Sequence, residues 1–195
     1  MKRTEEVYRE MLYQAEKGNN VLTQKAISDK LNLSLSNVSN ALSPLRRMGA
    51  VHVKKMCFHI INTKKILYHW ASIRNLKKDI IYSTRAERRV VDIEKSMPDD
   101  IVFTAYTAYR LKFKDAPADY SEVYVYSEDI EEIKKRFPES KNTPNILVLK
   151  KDKNIDKYGK IATNANIFVD LWNLPEWYAR EFLKAMEQKW NIGTQ

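Results

Sequence analysis

The chain has 195 residues, 44% of them hydrophobic, and a formal net charge of +9. It has no apolar run long enough for a membrane span, no apolar segment near its start that would suit a signal peptide, and one cysteine, too few for a disulfide or a cysteine-type zinc site. We therefore expect a cytoplasmic protein without membrane contact, built from two small domains.

The positive charge is concentrated in the first part of the chain. Residues 1–78 contain 15 Lys and Arg residues against 5 Asp and Glu residues, a net charge of +10. Residues 79–195 contain 19 against 20, a net charge of −1. A basic module attracts polyanions because it neutralises phosphates and releases counterions, so the first part is the candidate for binding nucleic acid.

Three helices are predicted before residue 50. Thr4 is expected to cap the first, which extends to about Lys17 and ends at Gly18. Thr23 caps a second helix of about two turns, and Ser34 caps the third. The apolar stripe that faces inward on the third helix consists of Val38, Leu42 and Leu45.

The opposite face of the third helix is small, polar and uncharged. Such a face suits a helix in the DNA major groove, where Asn37 or Asn40 can bond bidentately to adenine. Arg46 and Arg47 at the far end suit backbone phosphates. An ordinary solvated helix presents a similar face, so this pattern alone leaves both interpretations open. The outward residues are Ser36, Asn37, Ser39, Asn40 and Ser43.

Two short alternating segments, 51–55 and 57–61, predict a β-hairpin after Gly49, with lysines near its tip. Residues 23–55, TQKAISDKLNLSLSNVSNALSPLRRMGAVHVKK, resemble winged helix-turn-helix regulators, with SLSNVSNAL in the position of their recognition helix. Pro44 departs from the pattern and predicts a kink. The predicted DNA-contacting residues are Gln24, Lys25, Ser34, Ser36, Asn37, Ser39, Asn40, Arg46, Arg47, Lys54 and Lys55.

The winged helix-turn-helix domain is assigned to residues 1–62, and a connecting helix capped by Thr63 is predicted over residues 63–78. This helix is basic and amphipathic, and it contains no acidic residue. Packing against the rest of the protein or dimerisation is favoured, because the apolar stripe needs a partner; contact with the DNA backbone and adhesion to a membrane are the alternatives.

Helix and strand patterns alternate over residues 79–195 and predict a small α/β domain, which makes the whole chain α+β. Helices are expected from a capping box of Thr84 and Glu87 to Pro98, from Thr104 to Phe113, over residues 129–137, and after Pro175. Strands are expected over residues 101–103, 122–126, 146–149 and 167–171. Residues 150–160 are expected to form a solvated loop.

Residues 103–129, FTAYTAYRLKFKDAPADYSEVYVYSED, resemble the nucleotidyltransferase-like fold of abortive-infection toxin and antitoxin pairs. In active members a glycine-rich turn and three carboxylates hold the triphosphate and its metal ions. Here the turn at residues 104–107 has no glycine, Tyr124 stands at the second acidic position, and only Glu122 and Asp170 remain as candidate ligands. We therefore expect no enzyme activity, no cofactor and no metal.

Two further groups of side chains are candidates for a ligand pocket and for a metal site. Tyrosines are dense in the second domain and either line a pocket or pack on the sheet with hydrated edges. His52 and His59 are expected to face each other across the hairpin, but ordinary surface or packing histidines explain them without a metal. The tyrosines are Tyr106, Tyr109, Tyr120, Tyr124 and Tyr126.

The leading hypothesis is a sequence-specific transcriptional regulator, a homodimer that binds double-stranded DNA. The order of a winged helix followed by an α/β domain also resembles type IV abortive-infection antitoxins, which implies a protein partner for the second domain. A nucleotidyltransferase targeted by a winged helix is the third hypothesis.

Overall fold

The chain forms two compact units in a computed structural model, which describes residues 1–190. The first unit comprises Met1–Arg74 with Thr163–Ala165 and Trp190, and the second comprises Asn75–Ala162 with Asn166–Lys189. Each unit has a sheet and helices, so the architecture is mixed α+β, as predicted. Residues 191–195, the end of the predicted second domain, lie outside the described residues.

The first unit combines helices with a small antiparallel sheet. Its elements are α1 (Arg3–Glu16), β1 (Val21–Leu22), α2 (Gln24–Leu31), α3 (Leu35–Arg47), β2 (Val51–Val53), β3 (Phe58–Ile60) and α4 (Thr63–Ile73). The strand order is β1-β3-β2, with His52 opposite His59 in the predicted hairpin of β2 and β3. The pairing of β1 with β3 was not predicted from the sequence.

One apolar core holds the helices of this unit. The predicted stripe of α3 faces inward, with Val38 and Leu45 fully buried and Leu42 2% exposed. α1 packs against both α3 and α4, and the hydroxyl of Tyr8 donates a hydrogen bond to the carbonyl oxygen of Ala41 at 3.0 Å. Since α3 is held on this side, its opposite face is the one that points outward.

Two predicted caps are confirmed. The side chain of Thr23 accepts a hydrogen bond from the amide of Ala26 at 3.0 Å, and that of Ser34 accepts one from the amide of Asn37 at 3.2 Å. Each satisfies an amide that has no partner within its own helix. The two caps fix where α2 and α3 begin.

Two other predicted caps are wrong. α1 begins at Arg3, so Thr4 lies inside the helix. α4 is capped by Asn62, whose side chain accepts a hydrogen bond from the amide of Lys65 at 2.9 Å, so Thr63 is its first residue. A cap precedes the first helical residue, and an asparagine at this position serves as well as a threonine.

Pro44 lies inside α3, which continues beyond it to Arg47. Proline has no amide hydrogen, so the carbonyl of Asn40 loses its usual helical partner. The amide of Met48 bonds to the carbonyl oxygen of Pro44 at 3.1 Å, so the helical hydrogen-bond pattern resumes directly. The kink at Pro44 stays a prediction.

A buried carboxylate joins α1 to α4. Glu5 is 2% exposed; it accepts a hydrogen bond from the indole nitrogen of Trp70 at 3.0 Å and lies 3.4 Å from a guanidinium nitrogen of Arg74. Arg74 is extended, so α4 ends at Ile73 rather than at about Lys78 as predicted, and a separate 3-10 turn follows. Because unpaired buried polar groups are costly, these three side chains fix how the two helices pack.

The second unit is built on a four-stranded sheet of order β4-β7-β6-β5. β6 and β7 are parallel, and each outer strand is antiparallel to its neighbour. Its elements are β4 (Ile80–Thr84), α5 (Val90–Lys95), β5 (Val102–Thr104), α6 (Ala105–Phe113), β6 (Val123–Ser127), α7 (Ile130–Arg136), β7 (Ile146–Lys150), α8 (Asn164–Trp172) and α9 (Ala179–Lys189).

The two faces of this sheet bury different chemistry. One face is apolar, with Val125 of β6 and Val148 of β7 in a cluster with side chains from α5 and α7. The other face carries Tyr124 and Tyr126. The ring of Tyr106 in α6 lies 6.1 Å from that of Tyr124, so α6 packs on this second face.

Several elements of the second unit differ from the predictions. Residues 167–171 belong to helix α8 and form no strand; residues 162–170 are all buried, and a continuous buried run has no period that separates helix from strand. Thr84 ends β4, and its hydroxyl donates to the carbonyl of Pro138 at 2.6 Å, so the predicted capping box is wrong. The last helix begins at Ala179 rather than at Pro175.

The loop over residues 150–160 is only partly solvated. Ile155 is fully buried and Asn154 is 4% exposed, and a 3-10 turn spans Ile155–Tyr158. The many charged residues of this loop therefore gave no indication that Ile155 is buried.

We expect replacement of Glu5 by Ala to lower the free energy of unfolding by about 2–4 kcal/mol, because the Trp70 indole loses its acceptor and Arg74 loses a carboxylate partner in a buried place. Denaturant unfolding followed by tryptophan fluorescence measures this. Asp29→Ala is the matched control, because the Lys25–Asp29 pair is exposed, and such pairs contribute about 0.5 kcal/mol or less. Equal losses in the two variants would contradict the role of Glu5.

Candidate nucleic-acid interface

The outward face of α3 presents neutral hydrogen-bonding groups. Ser36, Ser39, Asn40 and Ser43 are exposed, whereas the apolar residues between them on the helix are buried in the core. Hydroxyl and amide groups both donate and accept hydrogen bonds, as the edges of base pairs in the major groove require. We call these four residues the polar ridge.

Asn37 is held differently from Asn40. It is half-buried, and its side-chain nitrogen donates to the hydroxyl oxygen of Ser34 at 2.6 Å. That oxygen also accepts the amide of Asn37, so Ser34 serves as a cap and orients the Asn37 side chain. Among residues 1–190, Asn40 has no such partner, so both ends of its amide can pair with a ligand.

The hairpin of β2 and β3 places two lysines at its tip. Lys54 and Lys55 are exposed, and the next residue, Met56, is 80% exposed. The amide of Lys54 bonds to the carbonyl oxygen of Cys57 at 2.8 Å and closes the turn. Phe58 at the start of β3 is fully buried, so the hairpin is anchored in the core while its tip extends into solvent.

The remaining predicted contact residues lie at helix ends. Arg46 and Arg47 are exposed in the last turn of α3. Gln24 is half-buried at the start of α2, and Lys25 beside it is exposed and forms an ion pair with Asp29 at 2.7 Å. Since an exposed pair of this kind is weak, a phosphate can replace the carboxylate.

The first unit hides most of its negative charge. Glu5, Glu6 and Glu10 of α1 are 2%, 7% and 0% exposed. Glu10 forms an ion pair with Lys30 at 2.7 Å and accepts a hydrogen bond from Gln14, also at 2.7 Å. Among residues 1–74 the exposed acids are Glu16 and Asp29, so bases far outnumber acids on the surface of this unit. The exposed bases are Lys2, Arg3, Lys17, Lys25, Lys30, Arg46, Arg47, Lys54, Lys55, Lys64 and Lys65.

A cation also stabilises the far end of α3. The ammonium group of Lys65 donates to the carbonyl oxygen of Met48 at 2.8 Å. Positive charge at a helix C-terminus is favourable, because the last carbonyl groups lack partners within the helix. This contact between α3 and α4 gave no signal in the sequence, since it joins residues 17 positions apart.

The hairpin of β2 and β3 carries two histidines and the cysteine. His52 and His59 are paired across the hairpin as predicted, and the Sγ of Cys57 lies 3.7 Å from Nε2 of His59. Within residues 1–190, no three His, Cys, Asp or Glu side chains are grouped so that they could hold a metal ion.

The two acids considered for catalysis in the second unit are held by different partners. Asp170 is fully buried and accepts hydrogen bonds from Thr104 at 2.6 Å, Tyr126 at 2.7 Å and Asn166 at 2.9 Å. Glu122 is half-buried and accepts hydrogen bonds from the hydroxyl of Tyr178 and from the hydroxyl of Ser121, the latter at 2.7 Å. Neither shares a hydrogen-bond partner with the other.

The turn before α6 is conformationally unusual. Thr104 stands at the N-cap position of α6, which spans the predicted residues, but its hydroxyl donates to Asp170 and forms no capping hydrogen bond. Ala105 has a φ of 50°, in the left-handed region that a residue with a Cβ adopts at a cost of roughly 1–2 kcal/mol. The buried bonds to Asp170 hold this turn in place.

Residues 1–56 match the family described as iron dependent repressor, N-terminal DNA binding domain. No curated protein and no solved structure matches the chain at a significant level. None of the helices within residues 1–190 is long and apolar enough to cross a membrane. The first unit is therefore a winged helix-turn-helix DNA-binding domain of the kind found in transcriptional regulators, whereas the match does not reach the second unit.

We expect Ser34→Ala to lower the free energy of unfolding by about 1 kcal/mol, because the amide of Asn37 loses its cap. Ser39→Ala, on the exposed face of the same helix, should change it by less than about 0.5 kcal/mol. Urea denaturation of both variants tests this, and a Ser34 variant as stable as the wild type would show that the cap contributes nothing.

Proposed function

We propose that the protein is a sequence-specific transcriptional regulator that reads the DNA major groove with α3 and contacts the phosphate backbone with its hairpin wing. The observation that supports this most is the polar ridge on α3. The ridge lies on the helix face opposite the buried apolar stripe, and exposed basic residues surround it. A neutral ridge surrounded by cations suits DNA, whose base edges are neutral and whose backbone is anionic.

Asn40 is the main base-reading residue in this proposal. Its exposed amide can accept from the adenine amino group and donate to adenine N7 at the same time. Asn37 contributes less, because one of its amide hydrogens is already donated to Ser34. The serines of the ridge bond to bases or phosphates, according to the position of the helix in the groove.

Lys54 and Lys55 provide attraction without sequence preference. An ammonium group at the tip of a wing neutralises a phosphate and releases a condensed counterion, whatever the base beside it. Arg46, Arg47 and Lys25 act in the same way at the ends of α2 and α3. Affinity thus depends on salt, and specificity depends on the ridge.

We also propose that the protein binds DNA as a homodimer. One α3 helix reads only a few base pairs, and two copies related by a two-fold axis read two half-sites about one helical turn apart. Sequences selected from a random DNA pool would then form an inverted repeat.

The matched family is named for its dependence on iron, and the residues of this chain do not fit such a dependence. The Cys57 and His59 pair lacks a third ligand, and no other suitable group exists within residues 1–190. We propose that DNA binding here requires no metal.

We propose no nucleotidyl transfer by the second unit. That reaction needs carboxylates that share metal ions near a triphosphate. Asp170 is buried and accepts hydrogen bonds from Thr104, Tyr126 and Asn166. Glu122 accepts one from Tyr178. Because the two carboxylates have different partners, their hydrogen bonds do not support a shared metal site. An antitoxin-like role with a protein partner stays a prediction.

We expect Asn40→Ala to weaken binding to the selected duplex by about 1–3 kcal/mol and to relax the preference at one base position, because one bidentate contact is lost. Lys54→Ala should weaken binding to all duplexes equally and reduce the slope of log affinity against log salt by about 1. Lys141→Ala, at an exposed position of the second unit, is the control and should change neither quantity. Fluorescence anisotropy with selected and scrambled duplexes measures all three; a uniform loss in Asn40→Ala would contradict base reading.

We expect removal of metals with a chelator to change the affinity for the selected duplex by less than about twofold, because the chain lacks a grouped set of metal ligands within residues 1–190. The same anisotropy assay measures this before and after adding ferrous iron to the dialysed protein. An increase in affinity of about tenfold on adding iron would overturn the metal-free proposal.

A further inference from the structure

A group of tyrosines and carboxylates lies on the tyrosine-bearing face of the second unit's sheet. The hydroxyl of Tyr106 donates to Glu176 at 3.1 Å, and that of Tyr178 donates to Glu122. The ring of Tyr106 is 5.2 Å from that of Tyr178 and 6.1 Å from that of Tyr124. We call these five residues the tyrosine–glutamate cluster.

The cluster holds negative charge that no side chain compensates. Among residues 1–190, no Lys, Arg or His forms an ion pair with Glu122 or Glu176. Both carboxylates are half-buried. Burial first, and then interactions with both glutamates, raise the pKa of Tyr124 and of Tyr178, so the two charges act on the same hydroxyls. Carboxylates in a partly desolvated place favour a cation as their partner.

The hydroxyl of Tyr124, also in this cluster, has no hydrogen-bond partner among residues 1–190. Tyr124 is 3% exposed, and within the described residues its hydroxyl forms no hydrogen bond. The charged groups that act on it are Glu176 and Glu122. A hydroxyl without an internal partner can still donate and accept a hydrogen bond, so the group is available to a ligand that enters the cluster.

The same unit shows which cation such groups accept. Beside the cluster, Glu94 accepts hydrogen bonds from Tyr120 at 3.0 Å and Thr107 at 2.7 Å, and it forms an ion pair with Arg110. The Nε of Arg110 donates to the hydroxyl oxygen of Tyr120 at 2.9 Å. A carboxylate and a tyrosine here receive a guanidinium from the chain itself. In the tyrosine–glutamate cluster the same kinds of groups receive none from the described residues.

We propose that the tyrosine–glutamate cluster binds an alkylguanidinium cation supplied from solution. Its N–H groups donate to Glu122, Glu176 and the hydroxyl of Tyr124, and its plane lies against the tyrosine rings, an arrangement that favours a delocalised cation. Trp177 stands beside the cluster, 72% exposed, with its ring 5.5 Å from that of Tyr178. This inference is independent of the DNA-binding function.

Titration calorimetry of the full chain with butylguanidinium chloride, at constant ionic strength, tests the proposal. We expect saturable binding that is weakened about tenfold or more in Glu176→Gln, because a charge-assisted hydrogen bond becomes a neutral one. The amide oxygen of the new glutamine still accepts the hydroxyl of Tyr106, so the fold should be kept. Tyr124→Phe should also weaken binding, since it removes only a hydroxyl without an internal partner. Glu128→Gln, at an exposed position nearby in sequence, should bind as the wild type does.

Thermal unfolding without ligand provides a readout that a purely structural role would not give. The melting temperature of Glu176→Gln should equal that of the wild type, because the amide oxygen of the glutamine still accepts the hydroxyl of Tyr106. A lower melting temperature in this variant, no saturable binding, or equal affinities in Glu176→Gln and Glu128→Gln would overturn the proposal.

An arginine side chain of another protein carries the same group as a free alkylguanidinium. The tripeptide acetyl-Gly-Arg-Gly-amide, titrated in parallel, separates the two sources. Tighter binding of the tripeptide than of butylguanidinium assigns the site to a protein's arginine, and weaker binding assigns it to a small molecule. Either result keeps the guanidinium as the recognised group.

Discussion

The functional surface of the first unit depends on the amphipathic period of α3. Val38 and Leu45 are buried completely, and the hydroxyl of Tyr8 holds the backbone of α3 at Ala41. With that side fixed, the helical period leaves Ser39 and Asn40 outside. Rotation of α3 by a quarter turn about its own axis would expose part of the apolar stripe and bury side-chain amides without partners. Both changes would cost free energy. Burial of one face therefore leaves the polar face of α3 exposed to solvent.

The distribution of charge follows from the same packing. α1 places three of its four glutamates inside the unit, where Glu5 pairs with Trp70 and Arg74, and Glu10 pairs with Lys30. Acids that would weaken attraction to a polyanion are thereby removed from the surface, and each is satisfied where it lies. The interactions that stabilise α1 and α4 thus also shape the electrostatics of the domain. A net charge alone would not have shown this.

The sequence predicted the first unit better than the second. Caps such as Ser34 act over three residues, and the stripe of α3 has a clear period, so local patterns were sufficient. The strand prediction for residues 167–171 failed because the segment is buried on all sides and has no period. The bonds of Asp170 to Thr104 and Tyr126 join residues 66 and 44 positions apart, and no local pattern encodes them. The tyrosines were recognised as unusual, but the carboxylate of Glu176 that accompanies them was not.

The proposed function requires that the polar ridge and the wing tip are the surfaces that contact DNA. Chemical-shift changes in the isotope-labelled chain, on addition of a duplex selected for binding, test this most directly. We expect the largest changes on residues 36–43, on the side-chain amide of Asn40 and on residues 54–56. Changes confined to other surfaces, with the Asn40 side-chain amide unaffected, would contradict it.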